Sequence, residues 1–168
     1  MHRRGLLLAT LGGAAATLAG CGFRMRGAPS FAFGSVHLAS TSELAEELRR
    51  NLKSVAGLQV LDARTPPEQA QVILDILNER RQKVVVGRTS TGQVREFQLR
   101  MMLTFRLRNP QGRELIPDTE LLQQRDISFS ESAVLAKETE EELLYRNMQS
   151  DLVQQILWRL ASLRPSEG

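Results

Sequence analysis

Few side chains in this sequence could make or break bonds. The one cysteine, Cys21, rules out an intrachain disulfide and any Cys-based metal site. Beyond the N-terminus the single histidine is His37, inside the strand-like run FGSVHLA, where a structural or surface role fits better than a catalytic one. Glu138, Glu140, Glu141 and Glu142 crowd carboxylates together, but they sit at the start of a helical pattern, where the helix dipole favours negative charge on a solvated face. No HExxH, GxSxG, P-loop or GxGxxG pattern occurs. With no nucleophile, base or metal cluster in a local constellation, the expected protein is not an enzyme.

The chain does offer cations. Arg80, Arg81, Lys83 and Arg88 lie along one β-prone run and its turn, and Arg95, Arg100, Arg106 and Arg108 lie along the return run. Guanidinium and ammonium groups bind phosphates and carboxylates. Hairpin pairing is expected to gather these residues into a cationic ridge on an exposed sheet face; the competing reading is a merely solubilising face. Nucleic acid is not the expected partner, because stacking aromatics should interleave the cations and only Phe97 and Phe105 lie nearby, both on the apolar side. The formal charge of +3 includes Arg3 and Arg4 at the extreme N-terminus, so the remainder is nearly balanced.

That N-terminus has its own logic. His2, Arg3 and Arg4 form a short positive region, and Gly5 to Gly20 is uncharged and rich in Leu and Ala. As a helix the run would reach about 24 Å, short of the ~30 Å hydrocarbon core. Charge, short apolar run and small residues, in that order, make a signal peptide over residues 1–20. A buried N-terminal helix is the alternative, but Gly12, Gly13 and Gly20 weaken a helix and no polar face is present. Leu18-Ala19-Gly20-Cys21 resembles the lipobox of bacterial lipoproteins. The resemblance implies cleavage before Cys21, a diacylglycerol on its thiol and an acyl chain on the new amine, with no other cofactor. One acyl chain holds only marginally in a membrane, whereas two or three hold stably. Gly22 in place of Asp favours, by analogy with lipoprotein sorting in Gram-negative bacteria, the outer membrane.

Elements must position these groups. Residues 21–32 read as a lipidated tether and 33–164 as one domain. Residues 33–39 form a strand. Ser40 and Glu43 make a capping box for a helix with Leu44, Leu48, Leu52 and Val55 on one face, stopped by Gly57. A short strand covers 58–61, and a long, bulged strand covers 71–86. GRTSTG, 87–92, is a turn. From Val94 to Arg108 the odd positions Phe97, Leu99, Met101, Leu103, Phe105 and Leu107 alternate with polar ones, so one face is buried and the other is wet or covered by a partner. Asn109-Pro110-Gln111-Gly112 fits a type I turn before a last strand around 121–130. Thr139 and Glu142 make a second capping box for a helix from Thr139 to Leu163, with a stripe of Leu144, Met148, Leu152, Ile156, Leu160 and Leu163. The order β-α-β-β-β-β-α predicts an α+β two-layer sandwich: two amphipathic helices on one face of a four- to five-stranded, mostly antiparallel sheet.

Four stretches, LAGCGFRMRG, the helix closed by LKSVAG, GRTSTGQVREFQLRMML and AVLAKETEEELLYRNMQSDLVQQILWRL, resemble the LPS-assembly lipoprotein family LptE in order and spacing, across essentially the whole mature chain. The resemblance implies a lipid-anchored outer-membrane protein that plugs the lumen of the β-barrel LptD and assists its assembly. It also implies contact with lipopolysaccharide on its way to the outer leaflet. It points to a basic residue in the turn between the two long strands and a lysine before the last helix, here Arg88 and Lys137, as lipopolysaccharide-binding residues. A periplasm-facing lipoprotein that docks another envelope partner, and a lipid-anchored hydrolase, are the competing expectations.

Overall fold

A computed structural model describes residues 30–163, in the order β1 (Ser35–His37), α1 (Glu43–Lys53), β2 (Gln59–Leu61), β3 (Val72–Arg88), β4 (Val94–Arg108), β5 (Glu114–Ser128) and α2 (Val134–Ala161). The expected signal peptide, the lipidation site Cys21 and most of the tether lie outside the described residues. The five strands form one mixed sheet in the order β2-β1-β3-β4-β5. Short β1 pairs parallel with β2 and β3, while the long strands β3, β4 and β5 run antiparallel. The sheet and its two helices form the expected α+β sandwich.

Period-two burial along β4 organises the core. Leu99, Met101, Leu103, Phe105 and Leu107 are all fully buried, and the residues between them are not. Both helices cover that face. Helix α1 buries Leu44, Leu48 and Leu52, and α2 buries Met148, Leu152, Ile156 and Leu160, spacings that put each set on one stripe. Polar ties join the layers: Gln149 Nε2 and Ser150 Oγ of α2 donate to the Glu47 carboxylate of α1 at 2.9 and 2.7 Å. Arg49 clamps α1 to the preceding loop, donating to the Leu38 and Ser40 carbonyls at 3.0 and 2.7 Å and pairing with Glu46.

Several boundaries differ from the sequence reading. The N-cap of α1 is Ser42, whose Oγ accepts from the Ala45 amide at 3.2 Å, not Ser40. The expected capping box at Thr139 does not form. Helix α2 starts five residues earlier, at Val134, and Thr139 Oγ1 donates back to the Leu135 carbonyl inside the helix. Strand β5 starts at Glu114, well before 121, because the Asn109–Gly112 turn returns the chain directly onto β4, with Gly112 at φ 89° and its amide on the Asn109 carbonyl at 3.0 Å.

The β3–β4 pairing shifts register between Ile76 and Asn78, leaving Leu77 as an extra residue. Leu74 and Ile76, opposite Leu107 and Phe105, face the helices. Past the bulge the parity of β3 inverts, so Glu79, Arg81, Lys83 and Val85 oppose Leu103, Met101, Leu99 and Phe97 and take the helix side.

Leu152 has 0% exposure at the centre of this packing. Leu152→Ala is expected to lower unfolding stability by about 2–5 kcal/mol, and Leu152→Asp to abolish the cooperative transition, since it buries an unpaired charge. Urea denaturation followed by circular dichroism checks both; a wild-type midpoint for either variant would contradict the packing.

Candidate functional site

The topology brings Arg88 and Lys137 to the same end of the sheet. Strand β3 ends at Arg88, β4 starts at Val94, and β5 returns with Ser128 opposite Glu96 before α2 begins. Arg88 Nη1 donates to the Gly92 carbonyl at 3.1 Å, across a turn closed by the Thr89 amide on the Gln93 carbonyl at 2.8 Å. Gly92 adopts φ 87°, a conformation glycine tolerates best. Gly87, just before Arg88, sits so close to its partner strand that an added Cβ would lie 2.9 Å from Glu96 Cβ. The backbone that presents Arg88 is therefore sterically specified. Lys137, in the first turns of α2, donates from Nζ to Ser128 Oγ at 2.9 Å and Glu140 Oε2 at 2.8 Å, so it bridges the end of β5 to the helix.

Between β4, β5 and the start of α2 lies a small cleft of about 70 Å³, large enough to seat part of a ligand but not to enclose a whole one. Its apolar lining is Phe97, Ile127, Phe129 and Val134; its polar lining is Lys83, Lys137, Ser128, Glu138 and Glu141. Phe97 and Phe129 meet edge to face, with ring centroids 5.4 Å apart. Lys83 Nζ stands 4.4 Å from the Phe97 ring centroid and pairs with Glu141. Both ammonium groups are thus held by carboxylates of α2 that remain partly exposed. Ion pairs of this kind contribute about 0–1 kcal/mol, so a phosphate can displace the carboxylate at small cost. Further in, Tyr145 Oη donates to the Gln82 carbonyl at 2.8 Å; burial, reinforced by Glu141, pushes its phenol above the usual range.

The expected eight-residue ridge does not form, because consecutive β3 residues such as Arg80 and Arg81 face opposite sides of the sheet, and the bulge sends Arg81 and Lys83 to the helix side. Arg81 lies on the helix side, within 3.2 Å of both Glu43 and Gln149 and 5.4 Å from the Tyr145 ring. Lys83 lies on that side too, in the cleft. On the open face Arg106 and Arg108 share one carboxylate, Asp75, whose Oδ2 accepts from their Nε atoms at 3.0 and 2.7 Å. Arg80 and Arg100 remain there. Lys137, which the family resemblance put before the last helix, lies inside α2 because that helix begins at Val134, and sequence reasoning missed Phe129, Ile127 and Val134 as its apolar surroundings. The run AVLAKE contains no helix breaker, and that signal could have extended α2 back to Val134. His37 is buried in β1 with neither ring nitrogen hydrogen-bonded among the described residues.

Residues 33–160 match the model of the family described as LptE: Lipopolysaccharide-assembly. Among solved structures, the chain is similar to lipoprotein B from Nitrosomonas europaea, with 32% identity, TM-score 0.68 and coverage of 81% of this chain and 88% of that one. It shares its fold with rare lipoprotein B from Shewanella oneidensis, at 23% identity, TM-score 0.64 and coverage of 76% and 94%. A minor lipoprotein from Acinetobacter baumannii has the fold as well, at 19% identity, TM-score 0.62 and coverage of 79% and 94%. No curated protein matches.

Asp75 gives the open face a pH signature. Burial alone would raise its pKa, but the hydrogen bonds from Arg108 and Arg106 outweigh burial and hold the carboxyl below its ordinary value. A depressed folded-state pKa contributes stability that is complete above the unfolded value of about 3.9 and is lost as pH falls through the folded value. Asp75→Asn should therefore be less stable than wild type at neutral pH, with the gap closing below about pH 4. Thermal melts across pH check this; a gap that persisted in acid would contradict it.

Proposed function

The chain belongs to the LptE lipopolysaccharide-assembly family, and from that premise we propose that it is the lipid-anchored plug of the outer-membrane barrel LptD and handles lipopolysaccharide through the Arg88–Lys137 end of its sheet. The observation that carries the ligand reading is the cleft itself, an apolar floor of Phe97, Ile127, Phe129 and Val134 beneath the ammonium groups of Lys83 and Lys137. Lipopolysaccharide combines phosphates and carboxylates with acyl chains. A site with cations above an apolar floor matches both halves at once. The exchangeable carboxylates of Glu140 and Glu141 keep the lysines in place until an anion arrives.

The plug reading draws on the family and on the other side of the sheet. The lumen of an outer-membrane barrel is polar, so a guest should present polar and charged side chains. The open face presents Arg80, Gln82, Arg100, Gln98, Gln124 and Asp126. Thioether-linked diacylglycerol and an amide-linked acyl chain on Cys21 would fix the protein to the inner leaflet of the outer membrane. The protein is read as a structural and binding subunit in which no residue does covalent chemistry.

Arg88→Asp and Lys137→Asp should each weaken lipopolysaccharide binding about tenfold or more, the scale of one lost charge-assisted hydrogen bond, while the far-ultraviolet spectrum and melting point stay near wild type. A salt-matched titration with purified lipopolysaccharide reads this out. Unchanged affinity in both variants would remove the site assignment, and failure of the wild-type chain to co-purify with LptD from membranes would remove the plug.

A further inference from the structure

The sheet has one long margin with nothing beside it. Short β1 pairs with β3 at Val36–Val72 and His37–Ile73 and then leaves the sheet. From Asp75 to Arg88, about 45 Å at ~3.3 Å per residue, the side of β3 turned away from β4 has no neighbouring strand among the described residues. The ladder shows which backbone groups lie there. The Arg95 carbonyl accepts from the Phe129 amide at 2.7 Å, so the backbone of Arg95 faces β5. Alternation along β4 then turns Gln98, Arg100, Met102 and Thr104 toward β3. Their partners Val84, Gln82, Arg80 and Asn78 make the ladder bonds, and Glu79, Arg81, Lys83 and Val85 aim N–H and C=O at the empty side. None of these four amides or carbonyls has a hydrogen-bond partner among the described residues.

We propose that the margin of β3 from Glu79 to Val85 is a strand-addition site for an extended, carboxylate-bearing segment of a partner protein. Free backbone groups supply the affinity of such a site, and flanking side chains choose the sequence. Here the flanking charge is mostly of one sign. Arg81 and Lys83 point to the helix side, each on an exchangeable carboxylate, Glu43 and Glu141. Arg80 points to the open side, exposed and without an ion pair among the described residues. Only Glu79 opposes them in sign. A second copy of the same margin would set cation against cation, whereas a strand of opposite sign gains from every cross-strand pair. The acidic margin of β5 is a poor mate, because Pro117 lacks an N–H and two register shifts interrupt that strand. Past the cations, Val85 and Val86 are exposed and offer β-branched surface to an added strand. At the other end an open notch of about 570 Å³ separates the Ala39–Ser42 loop from Leu74–Leu77, with Leu77 42% exposed. The notch receives the end of the added strand, and the loop stops it. Lys83 serves two purposes: its ammonium group belongs to the cleft, and its backbone belongs to the margin.

The test uses the full chain in detergent, isotope-labelled, with an acetylated Glu-Val repeat peptide as the probe. Residue-resolved amide exchange should show the peptide protecting the amides of Glu79, Arg81, Lys83 and Val85 and leaving those of Arg80, Gln82 and Val84, already in the ladder, unchanged. The Glu-Val peptide should bind about tenfold or more tightly than a Lys-Val repeat, and N-methylation along its backbone should abolish binding. Val85→Pro removes one outward N–H without costing a bond to β4 and should weaken binding about tenfold, as should Arg80→Glu. Because a proline could also unsettle the strand, Arg80→Glu and the N-methylated peptide on the wild-type chain give independent readings. Absence of saturable binding, equal binding of the N-methylated or Lys-Val peptide, or protection without the alternation would overturn the site. Self-association of the chain that Val85→Pro abolishes would assign the margin to a second copy and overturn it too. None of these outcomes bears on lipopolysaccharide binding at the cleft or on the plug.

Discussion

The odd-numbered side of β4 has to be kept dry, and most of the architecture follows from that. Five consecutive odd positions from Leu99 to Leu107 have no exposed surface. At ~3.3 Å per residue they form an apolar strip too long for the 11-residue α1 to shelter by itself. Helix α2, with 28 residues and about 42 Å of length, runs far enough to cover the rest. Only one face of the sheet is buried this way. The other is left to polar residues and to whatever the sheet docks against, so the molecule is two-sided from the outset.

The bulge at Leu77 then decides which charges go where. Without it, the polar middle of β3 would keep the parity of Leu74 and Ile76, placing Arg80 and Gln82 under the helices and Arg81 and Lys83 outside. The inserted residue reverses this. Arg81 and Lys83 take the helix side, where Glu43, Gln149 and Glu141 hydrogen-bond to them and the rings of Tyr145 and Phe97 lie beside them. Arg80 goes to the open face with Arg100. One register shift in the backbone thereby separates a lysine-bearing, apolar-floored cleft from an arginine-bearing flat face.

This also explains what was legible in the sequence. The period-two run of β4 was read to the residue, Val94–Arg108, because alternation of large apolar and polar side chains has no helical competitor. Helix existence, the single covered face and the strand count were legible for the same reason. Strand order was not, since short β1 inserts between β2 and β3 through parallel pairings that leave no local pattern. The ridge was misassigned because Arg80 and Arg81 are consecutive in a strand and face opposite sides in any register; NERRQK is polar at every position, so only pairing with β4 settles which of them takes the helix side. The family resemblance singled out Arg88 in the turn between the long strands and Lys137 before the last helix without relating them in space; the return of β5 onto β4 brings them to one end of the sheet. The aromatic and aliphatic floor was hidden because its members come from three separate segments, and only the return of β5 onto β4 brings Ile127 beside Phe97.

Family membership and fold rest on observation, while the ligand-facing role of the Arg88–Lys137 end is the central claim that follows from them. Amide hydrogen exchange of the chain with and without lipopolysaccharide tests it most directly, because it maps protection without altering a residue. The account predicts added protection in the 88–97 and 127–141 segments, around the turn and the cleft, with the middle of β3 and β5 unchanged. Protection centred on residues 78–84 and 118–124, with the cleft unaffected, would contradict it.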